Sequence, residues 1–327
     1  MKRREFMKLV GGALATAPDI ARAQSGKRVP TIAYLWHAGS AKEEYPYYDA
    51  VIEGFARLGY INGRNIVLEH RFPDERPERF ASMAAELVAM NPDVLMAGAV
   101  ALSYLQEATK TIPIVFMFHP DPVGAKLVAS LARPGGNITG LSNFGLEIAG
   151  KRVQLLKEIV PDLSRVAVLI NSNNRSAPTF VEVTRAAAGN LGVAVEAFDA
   201  RSPEELAVAF DAMVSAGMQA MTPAQGGTSF AWRALIPKLA LDHHLPMCAY
   251  SRETFEHGAL ISYGPDQIEM CRRSAALVDK ILKGTKPSDI PVEQPTKFEF
   301  LVSRSTAKAL GLTTPPTVLA TADDVIE

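Results

Sequence analysis

The sequence predicts an α/β protein of two doubly wound lobes, each built on a parallel sheet with helices on both faces. Three observations predict it. Short apolar runs alternate with segments of helical periodicity, and the series runs through once and then restarts. The chain has 327 residues, and the roughly 300 that follow a leader exceed one domain of about 150. The apolar run 114–118 stops at His119-Pro120-Asp121-Pro122. A buried parallel strand has that form, about 4–8 apolar residues ended by turn formers.

The elements follow in order. Residues 31–36 read as the first strand. Tyr48, Val51, Ile52, Phe55 and Leu58 then recur at helical spacing, with Glu53 and Arg57 set for an i,i+4 pair. Gly59 ends that helix, and Asn62-Gly63 makes a turn into a strand over 65–71. A helix over 76–90 buries Phe80, Met83, Ala84 and Leu87 and is stopped by Asn91-Pro92. A strand over 93–97, a helix over 99–109, a strand over 113–118 and a helix over 123–132 complete the first series. A second short apolar run follows the turn at Gly135-Gly136.

The second series opens with a helix over 147–159, a strand over 166–170, a helix over 177–191 and a strand over 193–198. Ser202 caps the next helix, whose first turn carries Glu204 and Glu205. A strand over 218–221, a helix over 230–243 and strands over 246–249 and 259–262 follow. The last long helix runs over 266–283, capped by Asp266 and stopped by Gly284, and a shorter one spans 304–310.

The N-terminus has the marks of an export leader. Arg3-Arg4-Glu5-Phe6-Met7-Lys8 matches the twin-arginine pattern, a weakly apolar stretch spans 9–17, and Ala21-Arg22-Ala23 offers a small-x-small cleavage site. The alternative is a disordered basic start to a cytosolic protein. No Cys follows the cleavage site to carry a lipid, and nothing later reaches the ~18 apolar residues of a membrane span. Loss of residues 1–23 removes five basic and two acidic groups and moves the formal charge from −1 to −4. Basic blocks are absent, which argues against nucleic acid as a partner.

No phosphate loop, GxGxxG, GxSxG or HExxH occurs, so no cofactor is expected. The six histidines (37, 70, 119, 243, 244, 257) lack metal-ligand spacing; His243-His244 are read as flanking a helix end. Cys248 and Cys271 both fall in apolar series and read as small buried residues; pairing in an oxidising compartment is the alternative.

What remains is polar and aromatic residues just past strand ends, where doubly wound sheets bind ligands. Trp36 and Ser40 follow the first strand, and Tyr45 and Tyr47 lie beyond them. Gly98, Ala99 and Val100 open a helix whose free backbone N–H groups suit a carboxylate. His119 and Asp121 follow the fourth strand; Asp121 suits an ammonium group, or simply caps a helix from Val123. Asn143, Asn171, Asn173, Gln225, Tyr250 and Tyr263 complete the set. Trp36, Tyr45, Tyr47, Tyr250 and Tyr263 are candidates to stack on a flat ligand. Each residue taken singly also reads as an ordinary turn or packing residue.

The stretch PIVFMFHPDPVGAKLVASLARPGGNITGLS (113–142) closely resembles the pattern IPIVF…DPVGAGLVASLARPGGNVTGLS of ABC-transporter solute-binding proteins, with Lys126 in place of one glycine. Further matches in order are LGYINGRNI (58–66), LLKEI (155–159), SRVAVL (164–169), LISYGPD (260–266) and TAKALGL (306–312). The chain departs from the pattern around Trp36-His37, at Thr222 to Gly226, and at Val100, where relatives often place a hydroxyl.

The resemblance implies a type I periplasmic-binding fold whose lobes are joined by a three-crossing hinge near residues 141–143, 262–265 and 291–295. The lobes would comprise residues 28–141 plus 264–291 and 142–263 plus 292–327. It implies a monomeric periplasmic receptor for a small organic solute, perceived as an aromatic or apolar amino acid or related carboxylate, docking on a membrane permease. Two rival functions share the scaffold: a secreted enzyme with His119 and Asp121 as acid–base pair, and a sensor subunit for a receptor kinase.

Overall fold

The computed structural model describes residues 28–174 and 176–327; the leader read in residues 1–23 lies outside them. The first series folds as β1 (Thr31–Leu35), α1 (Tyr47–Arg57), β2 (Val67–Arg71), α2 (Pro77–Ala89), β3 (Val94–Ala97), α3 (Ala99–Ala108), β4 (Ile114–His119) and β5 (Ile138–Ser142). The five strands form one parallel sheet in the order β2-β1-β3-β4-β5. Its two faces follow the two-residue period of a strand. Ile32, Tyr34, Val94, Met96, Val115 and Met117 point one way, towards Val51 and Phe55 of α1. Ala33, Leu35, Leu95, Ile114 and Phe116 point the other way, towards Phe80, Leu87, Leu102 and Leu105.

The second series gives α4 (Ala149–Ile159), β6 (Arg165–Ile170), α5 (Ala177–Gly189), β7 (Ala194–Asp199), α6 (Pro203–Ser215), β8 (Ala220–Pro223), α7 (Gly227–Ala231), α8 (Leu235–Asp242), β9 (Cys248–Ala249), α9 (Arg252–Phe255) and β10 (Ile261–Pro265). After it come α10 (Gln267–Leu282), β11 (Phe298–Ser303), α11 (Arg304–Ala309), α12 (Pro316–Thr321) and β12 (Asp324–Ile326). Strands β7-β6-β8 form one sheet and β12-β11-β10-β9 another; a bridge between Met221 and Met247 joins them. Helices α4 and α5 cover one face through Val153, Leu156, Phe180 and Val181. Leu206, Phe210, Met213 and Ile236 cover the other.

The chain passes between lobes three times. It leaves the first after β5, returns after β10 into α10, and leaves again before β11. Helix α10 packs on α1 and buries Met270, Cys271, Ala275 and Val278 in the first core. The first and third passages are tied: Ser142 N–H donates to the Glu293 carbonyl at 2.8 Å, and Glu293 N–H to the Gly140 carbonyl at 2.9 Å.

The expected caps and the i,i+4 pair form. Ser202 and Asp266 accept from the backbone N–H groups of Glu205 and Glu269, as caps do. Arg57 reaches Glu53 at 2.6 Å. His243 stands at the end of α8, and both cysteines are buried and free, one in each lobe.

Four readings are corrected. Strand β11 runs antiparallel to β10. β10 exits through the cleft end of its sheet and β11 re-enters at that end, so the two must run opposite ways. The helix expected over 123–132 is a series of turns. There Asp121 Oδ1 accepts from Gly124 N–H at 2.7 Å, and Lys126 holds φ of 57°, which a helix does not tolerate. The helix expected over 230–243 is two helices. Pro237 has no N–H to bond back a turn, and it fits only because a new helix starts at Leu235. The strand expected over 259–262 runs on to Pro265, because Gly264 and Pro265 pair with Glu299 and Phe298.

Candidate ligand-binding cleft

The carboxyl ends of β1, β3, β4, β6, β8 and β9 meet in one cleft of about 520 Å³ between the lobes. Doubly wound sheets favour this position, and the volume suits a small organic molecule. Of the residues expected from sequence, Gly98, Val100, His119, Asp121, Asn143, Asn173, Gln225 and Tyr250 line it. Ala99 opens α3 beside them.

Five expected residues lie off the cleft lining, each for a local reason. Trp36 continues the alternation of Ile32 and Tyr34 and turns into the core. It is 1% exposed, stacks on Tyr34 at 3.7 Å, and its Nε1–H donates to His70 Nδ1 at 3.0 Å. The Ser40 hydroxyl donates to Glu43 in its own turn. Tyr45 is 60% exposed, and only its carbonyl faces the other lobe, accepting from Arg233 at 3.2 Å. Asn171 donates to the Thr228 hydroxyl and accepts from Asn173 N–H, so it braces the loop after β6. Tyr263 stacks on Phe298 at the hinge, and its carbonyl accepts from Arg152 at 2.8 Å.

Other lining residues escaped selection as sites. His37, Phe118, Phe230 and Gln267 face the cleft, as does Tyr47, noted only as a stacking candidate. Phe230 belongs to α7 of the second lobe, yet it buries in the first lobe's core cluster. It stacks on Tyr47 at 4.6 Å and receives the His37 ring edge-on at 5.6 Å. Tyr47 also meets Phe118 edge-on at 5.5 Å. Helical periodicity marked Phe230 as apolar, but could not say which lobe it buries in. Gln267 sits one residue past the Asp266 cap, and only its place just after a strand end hinted at a cleft.

Polar contacts reinforce the aromatic wall. The Tyr47 hydroxyl donates to Gln267 Oε1 at 2.7 Å and lies 3.2 Å from Glu253 Oε2 on α9 of the second lobe. Burial pushes the Glu253 carboxyl up. His37 lies between two carboxylates, Nδ1 at 2.8 Å from Glu75 and Nε2 at 3.2 Å from Glu44. Burial pulls its imidazole down, but the two carboxylates outweigh burial and raise its pKa to about 9.

His119 behaves oppositely. Burial takes its pKa down to about 4 against a smaller pull from Asp121. Its Nδ1 accepts from Asp121 N–H at 3.1 Å, which leaves the ring proton on Nε2. The Asp121 side chain closes its own turn instead of bonding the ring. The two therefore do not form an acid–base dyad. Among the described residues no cluster of three or more His, Cys, Asp or Glu is arranged to hold a metal ion, and no helix is long and apolar enough to cross a membrane.

Known proteins share this architecture. A family model described as ABC transporter substrate binding protein matches residues 39–326. A tyrosine-binding protein of Clostridioides difficile (strain R20291) is 26% identical over 274 residues, 82% of this chain and 79% of that protein. The ABC domain from Streptococcus pneumonia in complex with L-Trp is 28% identical with a TM-score of 0.83, over 91% of this chain and 99% of that one. A conserved domain protein from Vibrio cholerae is 27% identical with a TM-score of 0.85, over 91% and 100%.

Proposed function

The chain belongs to the ABC transporter substrate-binding protein family, and we propose on that premise that its cleft captures an aromatic amino acid or a close carboxylate analogue. The family is one of solute receptors working with a membrane permease outside the cytoplasm, not one of enzymes. The observation that carries the solute class is the wall of Tyr47, Phe118 and Phe230, three rings drawn from both lobes onto one cleft. Aromatic side chains offer a flat ring favourable packing.

The ends of an amino acid have matching partners. The first turn of α3 has no side-chain cap at Gly98, so its backbone N–H groups suit a carboxylate. The Asp121 carboxylate, on the same cleft, suits an ammonium group. The relatives support this choice: one is named a tyrosine-binding protein and one is in complex with L-Trp. The His119 geometry supports a binding role over catalysis, since a ring with pKa near 4 and a committed Nδ1 is a poor general base at neutral pH. The Arg3-Arg4 leader fits export through a twin-arginine route, with cleavage near Ala23 and the receptor working as a monomer that binds no nucleic acid.

A thermal-shift panel of amino acids, aromatic acids and small carboxylates tests the reading. A solute at about 100 times its dissociation constant adds roughly 2.7 kcal/mol of stability. A shift with L-tryptophan or L-tyrosine is expected. No shift with any amino acid or aromatic acid of the panel, on folded protein free of carried-over solute, would overturn the amino-acid assignment.

A further inference from the structure

Gln225 stands two residues beyond the end of β8 and faces the cleft. Its orientation is set by a chain of hydrogen bonds that starts on the backbone. Gly145 N–H can only donate, and it donates to Asn143 Oδ1 at 3.2 Å. Asn143 Oδ1 is therefore the acceptor end of that amide, and Nδ2 the donor end. Asn143 Nδ2 in turn donates to Gln225 Oε1 at 3.2 Å. This leaves Gln225 Nε2 as the group with spare hydrogens, and it is buried with no partner among the described residues.

The relay is packed in place. Asn143 is 4% exposed and lies on the first passage between the lobes. A Cβ on Gly145 would lie 2.3 Å from Gln225 Oε1 and 3.0 Å from Pro120 Cβ, so only glycine lets Gln225 approach. The Gln225 carbonyl accepts from Asn174 Nδ2 at 3.0 Å, which fixes its backbone from the other side. At the end of the neighbouring strand, the Tyr250 hydroxyl is also buried against the cleft, with the Thr254 side chain beside it. Two buried neutral donors thus face one cavity, and a buried donor left without an acceptor is costly.

We propose that Gln225 is the specificity-determining donor of the second lobe, held donor-first by the Gly145–Asn143 relay so that it reads an acceptor oxygen, carboxylate or carbonyl, on the bound solute. This rests on the amino-acid reading for the identity of the oxygen. The relay also gives the hinge a contact with the solute, because Asn143 belongs to the connection between the lobes. A solute that offers a donor at that point meets Gln225 Nε2 head-on and is rejected.

The test combines two readouts on the full chain. The first needs no solute. In ¹⁵N-labelled protein the Asn143 side-chain amide resonances, identified by their loss in Asn143→Ala, are expected to shift in Gln225→Met. Unshifted resonances would mean the relay does not form, which overturns the proposal. The second is calorimetric titration with L-tryptophan and L-tyrosine. Gln225→Met is expected to weaken binding about tenfold, Gln225→Leu serving if the first variant misfolds. Asn143→Ala is expected to weaken binding of the wild type several-fold, and to add little once Gln225 is Met. Equal losses from Asn143→Ala in both backgrounds would overturn the relay. If neither amino acid binds the wild type, the amino-acid reading fails, while the resonance shift still decides the relay.

Discussion

Phe230 of the second lobe stacks on Tyr47 of the first, ring centroids 4.6 Å apart and planes 22° apart. The guanidinium of Arg233 lies over the same phenyl ring at 4.1 Å and bonds the Tyr45 carbonyl. This group links the two lobes beside the cleft. A receptor that opens to admit solute must break it.

Phe230→Ala removes the stack and the apolar contact it buries. An aromatic pair contributes about 0.5–1.5 kcal/mol beyond its area, and burying a Phe about 1.5–3 kcal/mol. Affinity for the solute is expected to fall by about tenfold or more, with a more extended scattering profile. Unchanged affinity and an unchanged profile would show that the contact does not contribute to closure.

His37 is expected to make folding stability fall in alkali. Its folded pKa of about 9 lies above the ordinary 6.5, so its contribution is complete below about pH 6.5 and is lost as pH rises through about 9. The groups around it are Glu44 and Glu75 of its own lobe and Phe230 and Arg233 of the other. Up to about 3 kcal/mol is at stake. Melting temperature is expected to drop between pH 7 and 10, and His37→Gln to flatten that drop. A variant with the wild-type slope would remove His37 from the cause.

Two glycines are expected to fail in different ways. A Cβ on Gly264 would lie 2.1 Å from the Tyr250 carbonyl oxygen, a backbone atom in the adjoining strand end. Gly264→Ala should cost several kcal/mol of stability, about 3 or more, through overpacking. A Cβ on Gly227 would meet the flexible end of Glu75 at 2.5 Å across the cleft. Gly227→Ala pushes Glu75 away from His37, so it should lower the melting temperature less than Gly264→Ala does and weaken solute binding. Chemical denaturation and calorimetry of the pair distinguish the two; the reverse pattern would contradict the assignment.

Lys126 holds φ of 57°, where glycine is at home. The family pattern has glycine at that place. Lys126→Gly is expected to stabilise the chain by about 0.5–1 kcal/mol, read as a higher denaturant midpoint with unchanged slope. A lower midpoint would show that the lysine's own contacts outweigh its backbone strain.

The fold was legible because it is written in local patterns. Apolar runs, caps at Ser202 and Asp266, and turn residues place most strands and helices within a few residues. Two features lie beyond local pattern. Strand β11 is antiparallel because of the route the chain takes through the hinge, which no window of sequence contains. The turns at 123–129 replace a helix because Asp121 bonds Gly124 and Lys126 turns left-handed, a contest that propensity does not decide. The cleft was half legible for the same reason. His119, Asp121, Asn143, Gln225 and Tyr250 follow strand ends and line it. Trp36 also follows a strand, but alternation carries it to the core face. Phe230 joins the first lobe's core from the second, a contact that exists only when both lobes are placed.

The most direct test is calorimetric titration of L-tryptophan into the purified protein, stripped of carried-over solute, at two temperatures. One molecule is expected to bind per chain, with a negative heat-capacity change from apolar surface buried as the lobes close on the ring. Absence of binding to L-tryptophan, L-tyrosine and their carboxylate analogues, on protein shown to be folded, would contradict the account.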